Sequence, residues 1–151
     1  MSETPKNTDE IAKRQETIRE VFANFSDSDQ KWKYLLQLAR DWPGMDSSLQ
    51  DEKFLIKGCS TRMYLVPSFK DGVLHFDLDT ESGADNPLIS RGLGVLALQI
   101  YNDLAPAEIL HTDPEFFQNI GLNVGLSPTR ANGFASLLKQ IYMYAQVFAR
   151  F

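Results

Sequence analysis

A stretch of strict alternation, residues 73–79, most constrains the fold of this chain. The even-numbered residues from 74 to 78 are Leu, Phe and Leu, whereas the residues between them are mostly polar. Because successive side chains of a strand point to opposite faces, this pattern predicts a half-buried antiparallel strand. Residues 70–72 (Lys-Asp-Gly) are a hairpin turn signal, and residues 61–68 favour the partner strand.

Helical periodicity dominates the rest of the chain. It predicts helices over about residues 10–24 and 88–104, a helix that begins at one of the capping residues 26–29 and ends before Trp42, two short ones opened by Pro106 and Pro114, and a long one after Ser127-Pro128. A further short strand is predicted just before Gly58. The sequence thus predicts one α+β domain, residues 10–151, with a small antiparallel sheet of about three strands packed against several helices. Residues 1–9 are polar and without period, and are predicted to be a flexible tail.

Composition narrows the classes of function. Of the 151 residues, 43% are hydrophobic and the net charge is −5, so nucleic acid is an unfavourable main partner. The most apolar segment, residues 88–105, is interrupted by charged residues and glycines, which excludes a membrane span there. The first ten residues resemble neither a signal nor a transit peptide, so we expect a cytoplasmic protein. One cysteine and two histidines predict neither a disulfide nor a metal cluster.

The single cysteine, Cys59, lies in a Gly-Cys-Ser-Thr bend between two β-favouring runs. Gly58 permits backbone angles closed to other residues, so the bend can carry the cysteine at its tip. Lys57, Arg62 and Lys53 bring positive charge near the sulfur, and nearby cations lower the pKa of a thiol. Two interpretations stay open at this point: a reactive thiol, and an inert small apolar side chain.

Arg130 is the second unusual residue, because it lies in the first turn of the helix that follows Ser127 and Pro128. The helix dipole disfavours a cation there by about 0.3 kcal/mol or more. Arg130 is therefore either a solvated or carboxylate-paired arginine, or is aimed at an anion such as a thiolate. A cysteine hydrolase would need an imidazole at the sulfur, and neither His75 nor His111 has a supporting sequence context.

Four blocks of the sequence together resemble the SufE family. They are residues 32–38 (Trp-Lys-Tyr-Leu-Leu-Gln-Leu), 56–64 (Ile-Lys-Gly-Cys-Ser-Thr-Arg-Met-Tyr), 89–93 (Ile-Ser-Arg-Gly-Leu) and 126–134 (Leu-Ser-Pro-Thr-Arg-Ala-Asn-Gly-Phe). The likeness runs from about residue 20 to the C-terminal helix. Two positions depart from the family pattern: Thr61 replaces a serine and Tyr64 a tryptophan. Both keep the chemical character of the side chain. They leave open which cysteine desulfurase, the partner enzyme that the family serves, would be the partner here.

The resemblance implies a SufE/IscU-like fold and a role in iron–sulfur cluster assembly. It implies that Cys59 accepts persulfide sulfur from a PLP-dependent cysteine desulfurase of the SufS type, stimulates that enzyme, and passes sulfur to an iron–sulfur scaffold complex. Gly58, Ser60, Thr61 and Arg130 would be the binding residues around it. PLP belongs to the partner, so we expect no cofactor and no independent turnover here. The alternative is a regulatory interaction module with an idle thiol. The sequence decides neither for a monomer nor for a homodimer.

Overall fold

The computed structural model describes residues 8–58, 62–81 and 88–151. The elements are helices α1 (Thr8–Ala23) and α2 (Ser28–Asp41), strands β1 (Met63–Lys70) and β2 (Val73–Thr80), and helices α3 (Leu88–Tyr101), α4 (Pro106–Leu110), α5 (Phe116–Asn119) and α6 (Pro128–Phe148). This mixture confirms the predicted α+β class. Residues 1–7 of the predicted tail, and residues 82–87 of the loop between β2 and α3, lie outside the described residues.

The hairpin is the one that the alternation predicts. Strands β1 and β2 pair antiparallel, from Met63 opposite Thr80 to Lys70 opposite Val73. Between them Asp71 and Gly72 both have positive φ, 54° and 77°, as a tight two-residue hairpin turn of the primed type requires. The three alternating apolar side chains of β2 are fully buried, so one face of the hairpin belongs to the core.

The prediction of a third strand is wrong: within the described residues the sheet has two strands. The segment expected to be extended instead begins with a 3-10 turn, Glu52–Phe54. The side chain of Asp51 accepts a hydrogen bond from Lys53 N at 3.0 Å and so stabilises this turn. Only Leu55 then forms an isolated bridge, with Tyr64. A local side-chain cap therefore overrides the β propensity of the apolar residues that follow.

Helix α3 is the centre of the fold and packs on α1, α2, α6 and β2. Its contact with α2 is close because Gly92 lacks a side chain. A Cβ there would overlap the carbonyl oxygen of Leu35 and lie 2.8 Å from its carbonyl carbon. This backbone-to-backbone contact accounts for a glycine inside the helix, where it costs about 1 kcal/mol in helix propensity.

Helix α6 forms the second long wall of the core. The side chain of Ser127 caps it by accepting a hydrogen bond from Arg130 N at 3.2 Å, and Pro128 occupies the first turn. Its buried residues recur at helical spacing and face α3 and α4. Across the three described segments, we find no helix with the length and apolarity needed to cross a membrane.

Candidate functional site

The chain approaches the cysteine through Gly58, whose conformation requires a glycine. Its φ is +84°, in the left-handed region, and a Cβ would lie 2.7 Å from the hydroxyl oxygen of Ser136 on α6. A side chain here would therefore be strained twice, by its backbone angle and by its neighbour. The segment that precedes the cysteine is thus packed directly on α6.

Cys59, Ser60 and Thr61 lie outside the described residues, but the residues on either side are held together. Ile56 N donates to Met63 O at 2.9 Å, and Glu81 N donates to Arg62 O at 2.9 Å. Both ends of the cysteine-bearing connection are therefore fixed to the start of the hairpin. The predicted roles of Cys59, Ser60 and Thr61 stay predictions.

A narrow cleft opens between β1, α3 and α6, beside this connection. Its apolar walls are Met63, Leu93, Phe134 and Leu137, and Arg130 lines it as well. The volume of the cleft is about 10 Å³, close to the least that admits one water molecule. The cleft is therefore a narrow, largely apolar space with room for about one water-sized group, and Arg130 is among the residues that line it.

Arg130 is exposed, and its guanidinium forms no ion pair with a carboxylate of the described residues. Its position in the first turn of α6 is the one that the cap predicts. The helix dipole disfavours a cation in that turn, and no carboxylate within the described ranges compensates it. Arg130 is thus available to an anion that reaches the cleft.

The charge of Arg62, in contrast, is already compensated. Its guanidinium lies 2.6 Å from Glu81 Oε2 and 3.9 Å from Glu52 Oε1. A hydrogen bond with the side chain of Tyr64, and the nearby Glu81 carboxylate, raise the pKa of Arg62 above its ordinary value. Lys53, another of the expected cations, lies with Nζ 5.0 Å from the centre of the Phe54 ring. Of Arg62, Lys53 and Arg130, Arg130 alone lines the cleft, so it is the best candidate of these three for stabilising a thiolate there.

The two histidines are engaged elsewhere. His75 Nδ1 lies 2.7 Å from Asp103 Oδ1, and His75 pairs with Ser68, five residues along β1 from Met63. At about 3.4 Å per residue, this is roughly 17 Å from the start of β1. His111 Nδ1 lies 2.7 Å from the Ala107 carbonyl oxygen at the end of α4. These contacts give no support to a Cys-His hydrolase, which needs the imidazole at the sulfur.

Sequence reasoning identified Gly58 and Arg130 separately, but it missed the residues that connect them. Met63 lines the cleft together with Arg130, and Ser136 on the same helix as Arg130 lies against Gly58. The helical spacing of Arg130, Gly133 and Ser136 places all three on one face, and this spacing was the available signal. In the parts of the chain that the structure describes, no three His, Cys, Asp or Glu side chains are arranged to hold a metal ion.

Comparison with known proteins gives a consistent result. The family model of SufE, the Fe-S metabolism associated domain, matches residues 16–145. The sulfur acceptor protein CsdE of Escherichia coli is 29% identical over 128 residues, which are 83% of this chain and 84% of that protein. An uncharacterised SufE-like protein of Synechocystis is 28% identical over 131 residues, 87% of this chain and 79% of that protein.

The fold also has a solved counterpart. The solution structure of a hypothetical protein from Thermus thermophilus superposes with a TM-score of 0.73, covers 91% of this chain and 97% of its own, and is 16% identical. At that identity the likeness concerns the fold alone. The family model spans most of the chain, and the four blocks that suggested the resemblance fall within it. The chain belongs to the SufE family of iron–sulfur metabolism.

Proposed function

We propose that this protein accepts sulfur on Cys59 from a PLP-dependent cysteine desulfurase of the SufS type and stimulates that enzyme. The observation that carries the proposal is Arg130, an arginine without an ion pair among the described residues, which lines an apolar cleft beside the cysteine-bearing connection. A binding surface for a neutral partner would not need this charge. Membership of the SufE family, and the name of the sulfur acceptor relative, support the same function.

The proposed chemistry is one displacement at sulfur. The Cys59 thiolate attacks the terminal sulfur of the partner's persulfide, the sulfur–sulfur bond of that persulfide breaks, and the partner cysteine leaves as a thiolate. The terminal sulfur and its proton move to Cys59, which becomes the persulfide. Nothing is oxidised or reduced overall, so the step needs no cofactor on this chain, and PLP belongs to the desulfurase.

Arg130 and the cleft have distinct roles in this proposal. The guanidinium stabilises the attacking thiolate, because an adjacent cation raises the thiolate fraction at neutral pH. The apolar walls formed by Met63 and Leu93 then shelter the transferred sulfur from water and oxidants, to which exposed thiolates are sensitive. Gly58, Ser60 and Thr61 shape the connection that brings the sulfur there. A scaffold complex for iron–sulfur clusters is the proposed recipient, and the cytoplasm is the proposed location.

The test is desulfurase activity with matched variants. The desulfurase is supplied with cysteine and a reductant, and sulfide release is measured with and without this protein. We expect the wild type to stimulate release severalfold and Cys59→Ser to give no stimulation, because serine is not a sulfur nucleophile of this kind. Circular dichroism of Cys59→Ser checks that the fold is retained. Full stimulation by Cys59→Ser would instead establish the alternative, a regulatory module with an idle thiol.

A further inference from the structure

Arg91 joins three elements through one partly buried guanidinium. Its Nη1 lies 2.5 Å from Asp79 Oδ1 on β2, Nε donates to Ala39 O at 3.1 Å, and Nη2 donates to Trp42 O at 2.7 Å. The side chains of Arg91 and Asp79 are 18% and 12% exposed. A charge pair this shielded from solvent is screened far less than a surface pair, so its geometry matters more.

Asp79 is held just as completely. Its Oδ2 accepts from Met45 N at 3.1 Å and its Oδ1 accepts from Thr80 N at 2.8 Å. Gly44, with φ of +80°, makes room for the carboxylate: a Cβ there would lie 2.7 Å from Asp79 Oδ2. The carboxylate therefore has a defined partner on each side, and the Arg91–Asp79 pair fixes the end of β2 to the end of α2.

This junction adjoins two walls of the cleft. Thr80, the neighbour of Asp79, pairs with Met63, which is one wall. Ser90 and Leu93, on either side of Arg91 on α3, line the cleft as well. The Arg91–Asp79 pair thus connects the start of α3 to the hairpin, across the cleft from Arg130 on α6.

We infer that Arg91 is a positioning residue for the sulfur site: by binding Asp79 and the end of α2, it holds the cleft walls at the distance from Arg130 that sulfur transfer requires. This inference rests on the function proposed above. An arginine suits the role because its planar fork reaches three acceptors at once, whereas the ammonium of a lysine is a point charge that cannot reproduce this geometry.

The experiment compares Arg91→Lys with Arg14→Lys, a matched control. Arg14 also donates to two main-chain oxygens, Ile100 O at 3.0 Å and Asn102 O at 2.6 Å, and also pairs with a carboxylate, Glu10. It does not line the cleft. Two rates are measured at a temperature where circular dichroism shows each variant folded: sulfur transfer from the desulfurase, and alkylation of Cys59 by iodoacetamide in the free protein.

We expect Arg91→Lys to lower the transfer rate roughly tenfold, as misplacement of a reacting group does, and Arg14→Lys to leave it unchanged. The decisive readout is a double-mutant cycle with Arg130→Gln. Arg130→Gln should slow alkylation severalfold in the wild type but only slightly in the Arg91→Lys background, because Arg130 no longer faces a well-placed cleft. If Arg91 were only structural, Arg91→Lys and Arg130→Gln would each slow alkylation by its own factor, and the two factors would multiply in the double variant.

Independent effects of the Arg91 and Arg130 substitutions on alkylation would overturn the inference, as would an equal loss of transfer in Arg14→Lys. If Arg91→Lys does not fold, Asp79→Asn replaces it in the cycle and must give the same coupling. The two rates separate this inference from the proposed function. A wild type that takes up no sulfur would refute the function, while the alkylation cycle would still decide whether Arg91 positions the site.

Discussion

At Gly58, conformation and packing both depend on the absence of a side chain. The backbone has φ of +84°, and the space where a Cβ would lie is taken by the Ser136 hydroxyl. Gly72 in the hairpin has a similar φ, +77°, but no atom within 4 Å of its Cβ position. The two glycines therefore separate the energy of the backbone conformation from that of the contact with α6.

We predict that Gly72→Ala lowers the free energy of unfolding by about 1–2 kcal/mol, from the left-handed conformation alone. Gly58→Ala should lower it by a further ~1–3 kcal/mol, because the methyl group overpacks against Ser136. Adding Ser136→Ala to Gly58→Ala should bring the loss close to that of Gly72→Ala. Urea denaturation measures all of these variants. Equal losses in Gly58→Ala and Gly72→Ala would show that the contact with α6 is not tight.

At Arg130 we expect the charge of the side chain, rather than its packing, to determine the rate of sulfur acceptance. We predict that Arg130→Gln slows the acceptance of sulfur about tenfold, which corresponds to about 1.4 kcal/mol and is near the lower end for a hydrogen bond to a charged group. Arg150, an exposed arginine at the end of the chain, is the control, and Arg150→Gln should leave the rate unchanged. Equal rates for wild type and Arg130→Gln would exclude a role for this charge.

At the scale of the elements, two glycines of α3 face different kinds of neighbour. Gly92 faces the backbone of α2, whereas Gly94 faces the side chain of Leu78, whose Cδ1 would be 2.8 Å from a Cβ. A main-chain carbonyl can move only if the two helices separate, but a leucine side chain can change rotamer. Identical substitutions should therefore have unequal effects.

We predict that Gly92→Ala lowers the free energy of unfolding by about 3 kcal/mol, at the upper end for overpacking. Gly94→Ala should be close to neutral, since a strain of about 1 kcal/mol in Leu78 is offset by the similar gain in helix propensity. Both variants are compared by urea denaturation. A loss for Gly94→Ala as large as that for Gly92→Ala would show that the side chain of Leu78 is as rigid as the backbone of α2.

The elements were predictable where a local pattern determines them. The hairpin followed from alternation and a turn signal, and α6 from its Ser-Pro cap and apolar stripe. The prediction of a third strand was wrong because Asp51 caps a 3-10 turn, and this capped turn is favoured over an extended conformation of the short apolar run that follows. In the site, Gly58 and Arg130 could be identified because each is unusual in its local sequence. Ser136 and the Arg91–Asp79 pair depend on contacts between distant segments, which residue spacing alone does not encode.

At the scale of the whole molecule, Tyr101 joins helices α3, α5 and α6 inside the core. Its side chain is 1% exposed, its ring contacts those of Phe117 and Tyr142, and its hydroxyl oxygen is 3.4 Å from that of Tyr142. Burial, with the hydrogen bond to Tyr142, raises the pKa of Tyr101 well above its usual value. The phenol therefore stays protonated in the folded state at a pH where it ionises in the unfolded chain.

The direction in which stability changes with pH follows from how many protons Tyr101 binds in the folded and unfolded states. A group whose pKa is raised on folding contributes stability below the unfolded pKa of about 10, and this contribution is lost as the pH rises further. We predict that above about pH 10 the wild type loses up to about 1.4 kcal/mol more per pH unit than Tyr101→Phe. Urea denaturation along a pH series measures this difference. Burial lowers the pKa of Lys31, an effect of opposite sign, but it is common to both proteins and cancels. Parallel curves would mean that Tyr101 ionises as easily in the folded state.

The most direct measurement is the intact mass of this protein after a single turnover. The desulfurase is first loaded with cysteine to form its persulfide, excess cysteine is removed, and the two proteins are mixed without a reductant. We predict that the wild-type chain gains the mass of one sulfur atom, that peptide mapping locates it on Cys59, and that the desulfurase loses it in step. An unchanged mass, with the sulfur still on the desulfurase, would contradict the assignment of this protein as a sulfur acceptor.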